Sequence, residues 1–252
     1  MDLIAILSGF GVGAIIGMTG VGGGSLMTPL LLTVFKLNPA VAIGTDLFFA
    51  AITKTSGSIA HYRHGNVDRR IVTLLLLGSI PASVATLALM HLTGITKGWA
   101  SALTFSLGIA LLLTAVTVAF KQFWHPLGLR LERWIPESRK PALTVLCGLI
   151  LGVLVSLSSI GAGALGATLI LLLYPRIESR RLVGTDIAHA VPLTLVAGLG
   201  LTVSLIGLVL ASFTANRELG ERAKGGIAVS VFSIALLYIG VAAANYAGHL
   251  FS

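Results

Sequence analysis

The sequence predicts an all-α integral membrane protein of two inverted repeats, each a Gly-broken helical hairpin followed by about three transmembrane helices. Three observations carry that prediction. Hydrophobic residues make up 56% of the 252 and charged residues only 10%, against about a quarter charged in soluble domains. So few charges cannot cover a water-facing surface. Apolar runs recur from end to end, continuous and rich in Leu, Ala and Gly, where a β-barrel would alternate. The triplet Gly-Thr-Asp also stands twice inside such runs, at 44–46 and 184–186.

Repeat one covers 1–120. Its first apolar segment, 3–35, is interrupted by "TGVGGGS" at 19–25, where three consecutive glycines break a helix and do more than let it pack. The run before them has no basic n-region or cleavage site and is expected to be a retained helix. Spans follow at 39–60, 71–92 and 98–120, with a polar loop at 61–70. Residues 121–140 are the longest polar stretch, and Trp124, Trp134 and its basic residues suit a cytoplasmic connection lying at the headgroups.

Repeat two covers 141–252. Its broken segment, 142–174, is interrupted by "SLSSIGAGALG" at 156–166. Residues 182–213 hold either two short spans turning near Gly198 and Gly200 or one long tilted helix, and the last span is 227–250. Setting 22–26 against 161–165 brings the two Gly-Thr-Asp triplets within one residue of register, a duplication that marks secondary transporters.

Every Lys and Arg of the seventeen except Lys54 lies in a loop. If each broken segment crosses once, the loop charges divide eight and eight. If each is a hairpin returning to its own side and 182–213 crosses twice, they divide fourteen against two, with Lys36 and Lys97 the minority. Hairpins with a single crossing at 182–213 give eleven against five. Basic loops mark the cytoplasmic face, so the hairpins with a double crossing are favoured. That leaves three crossings per half, which inverts the repeats and puts both termini outside. The net charge of +8 is thus explained by orientation, and nucleic acid is not an expected partner.

Broken backbone inside a membrane must be buried in protein or line a polar cavity. A helix restarting after Gly22, Gly23, Gly24 and Ser25 would aim free N–H groups and the positive end of its dipole at the break, a setting for an anion. Ser158, Ser159, Gly161 and Gly163 offer the same in repeat two. Four ionisable residues lie well inside apolar runs: Asp46, Lys54, Asp186 and His189. Such residues usually face a cavity or a partner. Lys54 could attract the anion or form an ion pair with Asp186. It stands about 12 Å along a helix from Asp46, so each is expected to find its partner across the repeat interface. Asp186 and His189 share a helix face and could relay a proton, or His189 could be a neutral packing residue. The single Cys147 excludes an internal disulfide, and neither a Walker A motif nor a metal-ligand or catalytic constellation appears. No cofactor, metal or enzymatic activity is expected.

The stretches "GMTGVGGGSLMTPLLL", "AVAIGTDLFFAAITKTSGSIAHYRHGNVDRR", "LLGSIPAS" and "RLVGTDIAHAVPLTLVAGLG" together resemble the sulfite exporter TauE/SafE family of bacterial membrane proteins. The resemblance covers nearly the whole chain and departs from the family at the second break, Gly-Ala-Gly-Ala. It implies anion binding by Gly22, Gly23, Gly24, Ser25, Thr45, Asp46, Gly161, Gly163, Thr185 and Asp186. The expected function is export of a small oxyanion, sulfite or a related organosulfur anion, by alternating access, with Asp46, Asp186 and His189 as candidates for proton coupling. A passive anion channel and an importer of the same anions are the alternatives. The expected place is the bacterial inner membrane, with lipid around the chain; a homo-oligomer is compatible with the sequence.

Overall fold

The computed structural model describes residues 25–34, 36–93 and 97–214. Gly22, Gly23 and Gly24, the run before them and the span expected at 227–250 lie outside the described residues. The described part is helical: α1 Met27–Thr33, α2 Pro39–Arg63, α3 Arg69–Leu92, α4 Lys97–Ala119, α5 Lys121–Glu132, α6 Lys140–Ser158, α7 Ala164–Leu173 and α8 Ser179–Thr214, with a 3-10 turn at Glu137–Arg139. Among the described residues, four stretches, Arg69–Leu92, Trp99–Ala119, Glu137–Ser158 and Ser179–Thr202, are long and apolar enough to cross a membrane. The chain is a multi-pass membrane protein.

Helix starts follow local chemistry. Asn38 caps α2 by accepting from Ala40 N at 3.0 Å, with Pro39 in the first turn, where its missing N–H is harmless. The Asp68 carboxylate caps α3 through Arg70 N and Ile71 N at 3.1 and 3.2 Å.

Two helix pairs form the centre. In α3 and α6, which run parallel, Gly78 sits against the Val145 carbonyl, Gly148 against Leu75 and Gly152 against Ser79. A side chain at any of the three would strike backbone, so the small residues set the helix separation. The other pair is α2 and α8, the helices carrying the two Gly-Thr-Asp triplets. Gly44 meets Leu201, Gly198 meets Leu47 and Phe48, and Gly57 meets Ile187, so these helices run antiparallel. Ile43, Leu47, Leu193, Ala197 and Leu201 share one core with Leu87 and Met90 of α3 and Leu103 of α4.

The second broken segment doubles back. Thr144, near the start of α6, and Tyr174, just after α7, join hydroxyls at 2.8 Å. Ile170 of α7 and Leu151 of α6 lie in one cluster between them. The segment 142–174 therefore begins and ends at the same face. On that face Arg181 pairs with Asp68 at 3.1 Å and Arg176 with Glu132 at 3.0 Å. Lys140 reaches Glu137 and Glu132 at 2.5 and 3.4 Å. The hydrogen bond from Arg176, reinforced by Lys140, holds the Glu132 carboxyl below the usual carboxylate range. The loop after α2, the 121–140 connection and the loop before α8 thus share one strongly basic face. Lys36 and the start of α4 lie at the opposite end, where Ala40, Met90, Leu103 and Leu201 meet.

One expectation is corrected. The fourteen-to-two charge division needs a turn near Gly198 and Gly200, but α8 is helical without interruption from Ser179 to Thr214. The glycines there serve packing: a β-carbon on Gly198 would press on Leu47 and Phe48, and one on Gly200 on Leu87. From Ser179 to Leu201 the helix already rises about 33 Å, enough for one passage.

Candidate functional site

At the second break the backbone leaves helical geometry over five residues. Ser159 ends α6 with a left-handed φ of 60°, and Gly161 and Gly163 follow at φ 125° and 147°, values that favour glycine. The Ser158 hydroxyl accepts from Ile160 N at 3.2 Å and pins the turn. Gly163 starts α7 with no side-chain cap, so the positive end of the α7 dipole is directed at the break.

Three of the intramembrane ionisable residues, Lys54, Asp46 and Asp186, gather around this break. Lys54, from the middle of α2, donates from its ammonium to the Ala162 carbonyl. Neither carboxylate closes a salt bridge with it among the described residues, although its charge acts on Asp186 first and on Asp46 second. The ion pair between Lys54 and Asp186 is thus a through-space attraction without contact, and the hydrogen bond of Lys54 goes to the unwound backbone of the break.

Asp186 is buried, with its Oδ1 unpartnered and directed at Gly166 in the first turn of α7; a β-carbon there would collide with that oxygen. The negative group seated at the start of α7 is therefore a side chain of the protein itself. Asp46, of the first Gly-Thr-Asp triplet, lies against α1. Its Oδ2 accepts from Thr28 Oγ1 of α1 at 2.5 Å, and the Ser159 hydroxyl faces the same carboxylate without meeting strict hydrogen-bond geometry. Each aspartate thus lies against the helix that follows the break in its own half.

His189 is fully buried; its Nε2 meets Ser79 Oγ at 2.9 Å while Nδ1 has no partner. Thr185 does not join the cluster: its hydroxyl accepts from Asp68 N at 2.9 Å, anchoring the loop between α2 and α3, with Gly184 tight against the Asn66 carbonyl. Thr45 is exposed on α2. Ser25 lines a narrow cavity with Thr114, Ser159, Ile160, Gly161, Ala162 and Ala164, so the end of the first break meets the second.

Sequence reading missed Thr28, Ser79, Thr114, Ala162 and Gly166. For Thr28 and Gly166 a signal existed, since both stand in the first turn after a break that the repeat alignment had already matched. The others carry no local mark.

Comparisons with known proteins agree with these features. The family model described as sulfite exporter TauE/SafE matches residues 5–250. A probable membrane transporter protein, YjnA of Bacillus subtilis (strain 168), is 38% identical over 224 residues, 88% of this chain and 86% of that protein. A second from the same organism, the probable membrane transporter protein YdhB, is 28% identical over 211 residues, 82% of each. No solved structure matches.

Proposed function

The chain belongs to the sulfite exporter TauE/SafE family of membrane transporters, and we propose that it is a secondary transporter moving a small oxyanion, sulfite or a related organosulfur anion, by alternating access. The antiparallel course of α2 and α8, which carry the equivalent triplets, supports two inverted repeats, and the hairpin at 142–174 supports a site where their breaks meet. Export and a bacterial inner-membrane location are drawn from the family's description and its bacterial relatives.

The observation that carries this reading is the seat of Asp186. A helix start and the Lys54 ammonium make an anion site, and the Asp186 carboxylate is directed into it. A substrate oxyanion would take over that place once Asp186 is neutralised. Two carboxylates and one ammonium leave the cluster with a surplus negative charge, which repels a second anion at short range in a low-dielectric interior. Proton uptake by Asp186 removes the surplus. Besides burial, the charged group that acts on it is Lys54 of α2, and α7 contributes its dipole. Anion and proton therefore bind in support of one another. Thr185, committed to the α2–α3 loop, acts as an anchor, and Gly161, Gly163 and Ser159 shape the break.

Counterflow in proteoliposomes tests this. Vesicles loaded with unlabelled sulfite should accumulate labelled sulfite transiently above equilibrium, as alternating access requires. Uptake that never overshoots, and ignores a pH gradient, would indicate a passive anion channel.

A further inference from the structure

Orientation asks only that basic residues lie on one side of the membrane, not that they converge. Three of them do converge. Arg69 and Arg70 at the start of α3 and Arg181 near the start of α8 line one pocket of about 600 Å3, with Val67, Asp68, Thr73 and Leu74. Asp68 is its sole carboxylate, and that group is already engaged: it pairs with Arg181 at 3.1 Å and caps α3. Arg69 lies over the Tyr62 ring, 5.0 Å from the centroid. Arg70 is exposed and enters no ion pair among the described residues. Three guanidinium groups against one carboxylate leave two positive charges uncompensated. A second pocket, across the Asp68–Arg181 pair, sets Lys140, Arg176 and Arg181 against Asp68, Glu132 and Glu178 and is balanced. An anion therefore favours the first.

The shape of the pocket selects the kind of anion. Guanidinium forks match phosphate oxygens in pairs. Arg70, Thr73, Leu74 and Leu77 share one face of α3, which runs about 10 Å from the basic end into the apolar span. Leu77 is 44% exposed. Thr73 gives its hydroxyl hydrogen to the Arg69 carbonyl at 2.8 Å, so it asks nothing polar of its neighbour. A free anion would leave this apolar wall bare, whereas a lipid covers it with a chain. We propose that the pocket between the starts of α3 and α8 binds the phosphodiester group of an acidic membrane phospholipid. Arg70 and Arg181 meet the phosphate, and an acyl chain lies along Thr73, Leu74 and Leu77. Basic pockets at the ends of spanning helices suit such headgroups. The site is separate from the anion seat at Asp186 and goes beyond the transport reading, because lipid binding is measurable with no substrate present.

The experiment is thermal unfolding of the purified full chain in detergent, titrated with phosphatidylglycerol, with phosphatidylcholine of the same chains, or with glycerol 3-phosphate. Phosphatidylglycerol should raise the midpoint saturably where the other two do not. Arg70→Gln should shift its half-saturating concentration about tenfold upward, the loss expected for one charged hydrogen bond. Arg133→Gln, which removes the same charge from an exposed position outside the pocket, should leave it unchanged. Equal responses to the two lipids would overturn the site, as would equal shifts in the two variants. Stabilisation by glycerol 3-phosphate alone would overturn the lipid assignment in favour of a soluble phosphate. If Arg70→Gln unfolds, a photoreactive phosphatidylglycerol on the wild-type chain decides. Cross-links within residues 67–74 support the site, and cross-links confined to other segments overturn it.

Discussion

Lys54, midway along α2, donates its ammonium hydrogen to the carbonyl of Ala162, in the break between α6 and α7. The two residues are 108 positions apart. A cation on α2 thus steadies unwound backbone far along the chain and adds positive charge where an anion would bind.

Removing that charge should stop transport before it unfolds the protein. Lys54→Gln keeps a donor for the Ala162 carbonyl but not the ammonium. A charged hydrogen bond contributes about 1.5–3 kcal/mol, so sulfite flux should fall about tenfold or more while the circular dichroism spectrum and elution volume stay as in wild type. Unchanged flux would remove Lys54 from the site.

Asp186→Asn fixes the second aspartate in a neutral form. Flux of the wild type should rise as pH falls, because protonation clears the seat at α7. The variant should be active but flat across the same pH range. A variant with wild-type pH dependence would assign the proton elsewhere.

Gly166→Ala probes the same contact by shape. The added methyl meets Asp186 Oδ1, so the carboxylate must move from the start of α7. Overpacking of this kind typically costs about 1–3 kcal/mol, and the expected outcome is a lowered melting temperature together with altered anion affinity. Gly152→Ala, whose methyl would strike the Ser79 carbonyl between α3 and α6, should lower stability by a similar amount without the specific change in anion affinity.

Thr185→Val separates anchoring from binding. The valine cannot accept from Asp68 N, and loss of this partly buried hydrogen bond costs about 1 kcal/mol. The melting temperature should drop by several degrees while the half-saturating anion concentration stays put. A large affinity change with no loss of stability would place Thr185 in the site after all.

Much of this arrangement is written locally in the chain. The broken segment 142–174 announces itself through its glycines, and the triplets at 44–46 and 184–186 point to paired carboxylates because charge is costly in an apolar run. What resists sequence reading is any contact whose partner is backbone or lies far along the chain. The Ala162 carbonyl has no side-chain signature, so the role of Lys54 stays open between anion and ion pair until the fold is known. Ser79 and Thr114 look like the other hydroxyls of apolar helices, most of which return their hydrogen bond to the preceding turn. Gly198 and Gly200 mislead for a physical reason. In lipid the helical hydrogen bonds are too valuable to open without replacement, so glycines that would invite a turn in water instead let α8 approach α2 and α3.

The central claim is that this chain carries a small sulfur oxyanion through a site where the two breaks meet. Its most direct test is flux of sulfite, thiosulfate, sulfoacetate and sulfate in proteoliposomes, each measured with and without a proton gradient. The account predicts saturable flux of at least one of these anions, stimulated by the gradient. A flat response to all four, gradient or none, would contradict it.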